Sequence, residues 1–363
     1  GEPEINDVRL RCEENDTKPW YMVCGTVRPK PATINNLTGR REAKLWPSEY
    51  PYSDRLTNQL MFVPPTPPEE GKLKLILMYK GWKSWEPVKE GREAFTKLQC
   101  PVDTCAITMN KKEANRADAI VFKDTFVNPG HERPPRQVWI LFFLESPYHT
   151  KHDLYRDLIN WTATYRSDSD VPDPYGRWVY YNESVKEVTE LKKNYAANKT
   201  KKVAWFVSNC NDHNGRLEFA YELQKHIPLD IFGLQILSRV RELQRVDYIT
   251  EKLYVNSLQN NVLPVVMGAR PQDYARAAPH HSYIHVDDFI SPAELANYLH
   301  LVDTDDDLYN SYFRWKGTGE FIKSHFLCRL CAMLHDDFPN KHYDDVNKWW
   351  RGPGTCTKGP WKK

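Results

Sequence analysis

From residue 73 onward, short apolar runs alternate with polar stretches of helical length, and this alternation constrains the fold more than any other feature. Strands that are apolar along their whole length suit a parallel sheet covered by helices on both faces. The predicted strands form two series, 73–79, 117–122 and 138–144, then 203–207, 229–232, 262–267 and 283–286. The sequence therefore predicts an α/β protein with two doubly wound units.

The chain divides into four predicted parts. Its 363 residues exceed the size at which one hydrophobic core stops growing, which favours two domains. Residues 1–71 are rich in proline, and we interpret them as a stem and irregular N-terminal cap. We predict the first domain over 72–195 and the second over 196–310. Residues 311–363 are predicted to form a C-terminal helical segment and tail that pack back on the first domain.

The composition excludes several classes of protein. A formal net charge of +2 is not that of a nucleic-acid-coating chain. The longest apolar run, 138–144, is far shorter than the roughly 20 residues of a membrane helix, so we expect any membrane anchor to lie outside this chain. Eight cysteines and five glycosylation sequons favour the secretory pathway. The sequons begin at Asn15, Asn36, Asn160, Asn182 and Asn198.

A carboxylate directly follows the third predicted strand. Glu145 comes after the run 138–144, and ligands gather at the carboxyl ends of strands in open α/β sheets. In that position Glu145 is a candidate general base that removes a proton from a hydroxyl group. The alternative is an acidic residue that caps the loop around Pro147.

Two stretches of the second series are candidate phosphate sites. Ser208 and Asn209 follow the strand 203–207, and Arg216 lies in the first turn of a predicted helix, where amides and a guanidinium bind anions. Near a second helix start, Lys252 would neutralise phosphate charge and Glu251 would accept hydrogen bonds from hydroxyls. The alternatives are an arginine on a solvated helix face and a surface charge pair of Glu251 with Lys252.

Two further acidic patterns have simpler interpretations. Asp168 and Asp170 form a DxD pattern, which holds Mn²⁺ against a nucleotide diphosphate in some transferases, although such short acidic patterns are common. Asp303 and the run 305–307 fit a solvated helix start, where acids face the positive end of the helix dipole.

Four cysteines are arranged in two close pairs. Cys100 and Cys105, with Cys328 and Cys331, could form a four-thiolate zinc site, but their spacing is not that of a zinc ribbon. Because a secretory compartment favours disulfides, we predict the bonds Cys100–Cys328 and Cys105–Cys331. The pairing of the other four stays open, namely Cys12, Cys24, Cys210 and Cys356.

At these positions the chain resembles the α1,3-fucosyltransferases of glycosyltransferase family 10. The stretches that carry the resemblance are FLESP at 143–147, NWTATYRSDSD at 160–170, AWFVSNC at 204–210, DYITEK at 247–252 and VLPVVMG at 262–268. The resemblance covers roughly 72–356. Within the family, the chain is most similar to the core type, which modifies the Asn-linked GlcNAc of N-glycans.

The resemblance implies a GT-B fold, in which two Rossmann-like domains face a cleft, with the acceptor on the first domain and GDP-fucose on the second. Glu145 matches the catalytic base of the family, Arg216 and Lys252 its pyrophosphate ligands, and Tyr248 and Glu251 its nucleoside-sugar contacts. The implied reaction is an inverting transfer of L-fucose to O3 of GlcNAc.

The resemblance also implies partners and a location. The partners are GDP-fucose and an N-glycan or glycoprotein acceptor. No cofactor is required, although Mn²⁺ or Mg²⁺ could stimulate the reaction, and the DxD stretch falls in a family motif that is not a metal site. The implied location is the Golgi lumen, where the full-length protein is anchored as a type II membrane protein.

The chain departs from the family between residues 233 and 247. The family carries a longer segment there, with a strand that lines the donor site and a cysteine that pairs with the match of Cys210. Here a helical stripe is predicted instead, formed by Ile236, Val240, Leu243 and Val246. The segment is a natural variant, an edited sequence or a form with a crippled donor site. A glycan-binding pseudoenzyme is therefore the alternative to an active transferase.

Overall fold

A computed structural model describes residues 17–51, 53–69, 71–80, 88–151, 155–200, 202–206, 216–232, 244–337 and 341–357. Its α-helices are α1 (Leu56–Leu60), α2 (Glu93–Thr96), α3 (Arg216–Gln224), α4 (Pro271–Ala277), α5 (Pro292–Thr304), α6 (Asp306–Ser311), α7 (Phe326–Leu334) and α8 (Val346–Arg351). A π-helix covers Lys252–Leu258, and 3-10 helices cover Lys111–Arg116 and Val286–Asp288.

A five-stranded parallel sheet forms the centre of the first half. Its strands are β1 (Lys74–Lys80), β2 (Cys105–Thr108), β3 (Ala119–Lys123), β4 (Val138–Phe143) and β5 (Trp161–Thr164), in the order β2-β1-β3-β4-β5. Every residue of β3 and β4 is buried, as their uniform apolar runs predict. The predicted α/β class with a parallel central sheet is confirmed.

Strand β5 was not predicted because polar residues interrupt it. Thr162 and Thr164 are buried, and their polar groups are satisfied by the chain that follows. The Thr162 amide donates to Asp170 Oδ2 at 2.9 Å, and the Thr164 and Ser169 hydroxyls lie 2.6 Å apart. Since β5 is an edge strand, the Asp170 carboxylate covers a backbone donor that has no neighbouring strand.

The second half contains smaller sheets than predicted. Strands β7 (Val203–Phe206) and β8 (Leu229–Phe232) form one parallel pair, and β10 (Val265–Val266) and β11 (Ile284–His285) form another. The predicted strand 262–267 is thus only two residues long, because Pro264 precedes it and Gly268 follows it with a φ of 123°. Within the described ranges these two pairs are not joined into one sheet.

Two antiparallel pairs were missed, because residues 311–363 were predicted to form only a helical segment and tail. Strand β6 (Arg177–Tyr180) pairs with β12 (Gly319–Ile322), and β9 (Gln244–Arg245) pairs with β13 (Cys356–Thr357). Gly319 is required at its position, since an added Cβ would lie 2.1 Å from the Val179 carbonyl oxygen. The stripe predicted at 236–246 was wrong at its end, where β9 is a strand and Val246 bonds to Thr355. Ile236, Val240 and Leu243 lie outside the described residues.

The C-terminal helix α7 is packed into the first half. All nine of its residues are buried, and the Phe326 ring lies 5.2 Å from that of Phe142 in β4. Two disulfides fix the helix there, and they are the two predicted bonds, Cys100–Cys328 and Cys105–Cys331. Because Cys328 and Cys331 are three positions apart, they lie on one face of α7 and can both bond to the stretch 100–105. Cys24 is also disulfide-bonded.

One sequon belongs to the core, which corrects the count of five possible glycosylation sites. Asn160 is 5% exposed, its amide nitrogen donates to the Lys341 carbonyl at 2.8 Å, and its oxygen accepts from Trp139 and Arg133. This side chain is a structural link between β4, β5 and the C-terminal segment. Among the described helices, none is long and apolar enough to cross a bilayer.

Candidate active site

Glu145 lies at the carboxyl end of β4, which is between β3 and the edge strand β5 of the large sheet. Beyond the strand the chain turns, because the Ser146 carbonyl accepts hydrogen bonds from the amides of His149 and Thr150 at 2.9 and 3.1 Å. Ser146 is fully buried, whereas the Glu145 side chain is exposed. The buried strand and the turn therefore hold the backbone, while the carboxylate stays open to a ligand.

Two tyrosines lie near this carboxylate, and a third, buried tyrosine packs against them. The Tyr248 hydroxyl donates to Oε2 of Glu145 at 3.4 Å. Its ring packs against those of Tyr165 and Tyr175, with centroids 5.0 and 6.3 Å away. We call Tyr165, Tyr175 and Tyr248 the tyrosine cluster. Ring faces beside an open carboxylate suit a ligand that combines an apolar face with hydroxyl groups.

Tyr175 fixes the backbone directly before Glu145. Its hydroxyl donates to the Leu144 carbonyl at 2.6 Å. Burial raises the pKa of Tyr175 far above its ordinary value of 10.0, and the nearby groups Tyr248, Glu145 and Glu251 act in the same direction. The phenol therefore remains a proton donor at physiological pH. The same interaction shows that Glu251 lies within electrostatic range of the tyrosine cluster.

Asp247 connects the two halves of the protein beside the tyrosine cluster. Its Oδ2 accepts hydrogen bonds from the amide and the hydroxyl of Ser167, and its Oδ1 accepts one from Arg276 at 2.6 Å. Burial raises the pKa of Asp247, while Ser167 and Arg276 oppose this rise. The stretches 160–170 and 247–252, both of which carry the family resemblance, are in direct contact here.

Glu251 and Lys252 are paired with each other. Lys252 Nζ donates to Glu251 Oε1 at 2.9 Å, and the two side chains are about half exposed, at 47% and 48%. The surface charge pair that the sequence left open is thus the arrangement seen in this structure. Because Lys252 begins the π-helix next to Tyr248, both charges remain near the cluster and can reorient toward a phosphate or a hydroxyl.

The remaining predicted donor residues are only partly described. Arg216 is the first residue of α3, as predicted, but its side chain is outside the described part of the structure. Ser208 and Asn209 lie outside the described residues altogether. The described part of this stretch is the strand β7, which ends at Phe206.

Asp168 and Asp170 have structural partners. Asp168 accepts two hydrogen bonds from Arg166, at 2.8 and 2.6 Å, and one from Trp349. Asp170 is fully buried and accepts hydrogen bonds from Lys341 at 2.5 Å, besides the Thr162 amide. These carboxylates connect β5 to the C-terminal segment. Within the described ranges, neither belongs to a group of side chains arranged to hold a metal ion.

The acidic run 305–307 lies at the start of a helix, as predicted, whereas Asp303 does not. Asp305 caps α6, because its side chain accepts a hydrogen bond from the Leu308 amide at 2.9 Å. Asp306 and Asp307 lie in the first turn of that helix. Asp303 belongs to the end of α5 instead and forms an ion pair with Lys202 at 2.6 Å.

Sequence reasoning missed Tyr165, Tyr175 and Ser167 as site residues. A signal was available for Tyr165 and Ser167, because they lie inside the stretch 160–170. For Tyr175 the neighbouring Gly176 is informative, since an added Cβ there would lie 2.5 Å from the ring of Tyr254. Such close approach of a helix side chain to a backbone marks a tightly packed corner.

These features define a class of protein: an α/β chain with a parallel central sheet, whose open strand-end carboxylate is contacted by a second α/β half. Residues 71–176 match the family description "Fucosyltransferase, N-terminal", and residues 196–245 and 237–349 match "Glycosyltransferase family 10 (fucosyltransferase) C-term". The chain belongs to the family 10 fucosyltransferases and is an α1,3-fucosyltransferase.

Several relatives share much of the chain. A fruit fly protein, "Glycoprotein 3-alpha-L-fucosyltransferase A", is 49% identical over 95% of this chain and 75% of its own length. "Alpha-(1,3)-fucosyltransferase C" of the same fly is 34% identical over 74% of each chain. A solved alpha1,3-fucosyltransferase with GDP-fucose is 16% identical, with a TM-score of 0.43, and covers 80% of this chain and 98% of its own.

The matches also bear on the departure near residue 240. The C-terminal family match is split into two pieces that overlap at 237–245, which lies inside the segment that departs from the family. The alignment with the first fly relative extends over 378 positions, more than the 363 residues of this chain. That relative therefore carries residues that have no counterpart here.

Proposed function

We propose that this chain transfers L-fucose from GDP-β-L-fucose to O3 of GlcNAc in α1,3 linkage, and that the acceptor is the innermost Asn-linked GlcNAc of an N-glycan. The observation that carries the proposal is the exposed Glu145 carboxylate at the end of β4, in contact with Tyr248 of the second half. The name of the 49% identical fly relative, a glycoprotein 3-alpha-L-fucosyltransferase, supports this acceptor class.

The transfer proceeds as one in-line displacement. Glu145 takes the proton from the acceptor O3 as this oxygen attacks C1 of fucose, the bond from C1 to the β-phosphate oxygen breaks, and the configuration at C1 inverts. Arg216 and Lys252 stabilise the charge that develops on the leaving GDP. Tyr248 and Glu251 contact the nucleoside sugar, and Ser208 and Asn209 belong to the donor side. No metal takes part in this scheme, and Mn²⁺ or Mg²⁺ has at most a stimulatory role.

The proposal assigns the acceptor to residues 72–195 and the donor to residues 196–310. The stem at 1–71 and the segment 311–363 would support the acceptor domain, since α7 and its disulfides pack on the large sheet. The disulfides also support an oxidising compartment. We place the enzyme in the Golgi lumen, where the full-length protein would be anchored in the membrane.

The test is an incubation with GDP-fucose and a GlcNAc-terminated biantennary glycopeptide. One added deoxyhexose that resists an α1,6-specific fucosidase is expected in mass spectrometry. A folded protein, judged by circular dichroism, that adds no deoxyhexose would refute the proposal. If fragmentation locates the added fucose on an antennal GlcNAc, the transferase activity is supported and the core GlcNAc is refuted as the acceptor.

A second candidate is a glycan-binding pseudoenzyme, which the short segment between residues 233 and 247 favours. In that case the acceptor half binds N-glycans, while the donor half no longer binds the nucleotide. Calorimetry separates the two candidates, because measurable GDP affinity supports the enzyme, whereas glycan affinity without GDP affinity supports the pseudoenzyme.

A further inference from the structure

A cavity of about 310 Å³ lies apart from Glu145, where β6, the last turn of α4 and the approach to β11 meet. Its lining includes Arg177, Lys186, Arg276, His280 and Tyr283. None of these residues belongs to the predicted active site. We call this space the β6–α4 cavity.

The position of the cavity separates it from the donor crevice. In doubly wound sheets, nucleotides bind beyond the carboxyl ends of the strands, which here is the loop from β10 to the first turn of α4. The cavity lies at the other end of α4, beside Ala278, and before the first residue of β11. Seven helical residues span about 10 Å, so the two places lie at opposite ends of one short helix.

Basic side chains in the wall of the cavity lie close to carboxylates. Lys186 Nζ lies 2.7 Å from Glu183, and it also stands 3.7 Å from the centre of the Tyr180 ring. His280 lies 3.6 Å from a carboxylate oxygen of Glu187. Glu183 also lines the cavity, so its pair with Lys186 adds no net charge to the side of the wall formed by the loop after β6.

The opposite side of the wall shows the same neutralisation. Arg276 forms ion pairs with Asp247 and Asp273, both at 2.6 Å, and Arg177 lies 3.1 Å from Asp54. Guanidinium groups that already hold carboxylates are poor ligands for a phosphate, because a new anion must displace an existing partner. The wall therefore suits an uncharged ligand that offers many hydrogen bonds.

Flat rings complete the wall. Tyr180 and Tyr283 line the cavity, as does His281, whose ring stacks on Tyr312 at 4.3 Å. Burial lowers the pKa of His281, and its Nε2 lies 3.2 Å from the Ser311 hydroxyl, so the neutral imidazole can offer only its other nitrogen to a ligand. A space with ring faces and neutral donors and acceptors matches the alternating apolar patches and hydroxyls of a sugar ring.

We propose that the β6–α4 cavity binds an uncharged sugar of the acceptor glycan, remote from the GlcNAc that receives fucose. Arg276, in the wall of the cavity, donates a hydrogen bond to Asp247. Tyr248, which follows Asp247 in sequence, contacts Glu145. One branched glycan can therefore occupy the cavity and approach the proposed base together. The inference rests on the proposed function, and it gives the enzyme binding energy from a part of the substrate that does not react.

The test fills the cavity from one side. Ala275 lines it and is exposed on α4, so Ala275→Trp adds an indole there without entering the core. Gln272→Trp, on an exposed position of the same helix outside the cavity lining, is the matched control. With a complete biantennary glycopeptide, KM is expected to rise about tenfold in Ala275→Trp, equivalent to about 1.4 kcal/mol. With a short GlcNAc acceptor, and for GDP-fucose, KM should change less than twofold.

A second measurement does not need turnover. Saturation-transfer NMR of the released, uncharged biantennary glycan should show contacts with the wild-type chain and with Gln272→Trp, and these should be lost in Ala275→Trp. If Ala275→Trp loses the contacts but the wild-type chain transfers no fucose, the proposed function is refuted and the sugar site is retained. An unchanged NMR signal in Ala275→Trp would overturn the sugar site. So would a tenfold rise in KM for GDP-fucose, which would make the cavity part of the nucleotide site.

Discussion

Asp247 accepts two hydrogen bonds from Ser167, one from its amide at 2.9 Å and one from its hydroxyl at 2.7 Å, although the residues are 80 positions apart. Asp247 has a φ of 55°, in the left-handed region that aspartate tolerates better than most side chains. The backbone turns at this residue, and Tyr248 then reaches Glu145. The contact thus fixes the second half of the protein against the strand-end carboxylate.

Replacement of Glu145 by glutamine should remove most turnover and leave the fold intact. The amide cannot accept a proton from the acceptor hydroxyl, and general-base groups contribute about 10²- to 10⁴-fold to rates. Initial rates, with calorimetry of GDP binding, check this prediction. Glu132→Gln, at an exposed glutamate before β4, is the control and should keep wild-type rates. An undiminished rate in Glu145→Gln would remove Glu145 from the role of base.

The pKa of Asp247 predicts a pH-dependent effect on stability. Burial raises this pKa, so the folded chain binds the proton more tightly than the unfolded chain does. Burial therefore disfavours the ionised Asp247 carboxylate in the folded chain. The stability that the protonated carboxyl contributes falls as the pH rises from about 3.9 through the folded pKa. Asp247→Asn lacks the titration. The stability of the wild type relative to this variant should be greatest at the lowest pH.

Urea unfolding of both proteins between about pH 4 and pH 7 measures this difference, with the slope given by the linkage of protons to unfolding. A stability difference that instead grows with pH would mean that Ser167 and Arg276 outweigh burial at Asp247.

Asp170→Asn should destabilise the chain and leave its metal dependence unchanged. The substitution weakens a fully buried acceptor of Thr162 and Lys341, and breaking such a pair costs about 3 kcal/mol. Denaturant unfolding measures the loss, with the 90% exposed Asp344 replaced by asparagine as the control. The wild type should keep full activity in EDTA. Activity lost in EDTA and restored by Mn²⁺ would return the DxD stretch to a metal role.

Serine at both Cys100 and Cys328 should lower the free energy of unfolding by about 2–4 kcal/mol, because the bond closes a long loop in the unfolded chain. Denaturant curves with and without a reductant test this. The reductant should destabilise the wild type more than the double variant, which has only Cys105–Cys331 of the two bonds left to lose. Equal effects of the reductant on both proteins would count against a stabilising bond.

The sequence predicted those elements whose signal is local. Strands β3 and β4 are continuous apolar runs, and Glu145 follows one of them directly, so both the strand and the carboxylate could be found. The two disulfides Cys100–Cys328 and Cys105–Cys331 were also predicted, from two pairs of closely spaced cysteines and the preference of a secretory compartment for disulfides. In each case neighbouring residues carry the information.

Features that depend on distant contacts were missed. β6 and β12 are 139 residues apart at the paired positions Tyr180 and Gly319, and nothing in either stretch alone identifies the other. The tyrosine cluster likewise brings Tyr165 and Tyr175 against Tyr248 only after the halves have docked. β5 was missed for another reason, since Thr162 and Thr164 are buried through hydrogen bonds and not through apolar character.

Helix α7 completes the large sheet from a position more than 180 residues beyond the end of β4 in sequence. During synthesis, the first half therefore leaves the ribosome before the helix that covers part of its core exists. The second half can form its strand pairs β7–β8 and β10–β11 before α7 has been synthesised and can pack on the large sheet. We expect chaperones to engage nascent chains that end before residue 326, and pulse-chase oxidation should show Cys100 and Cys105 unpaired with α7 until the last part of translation.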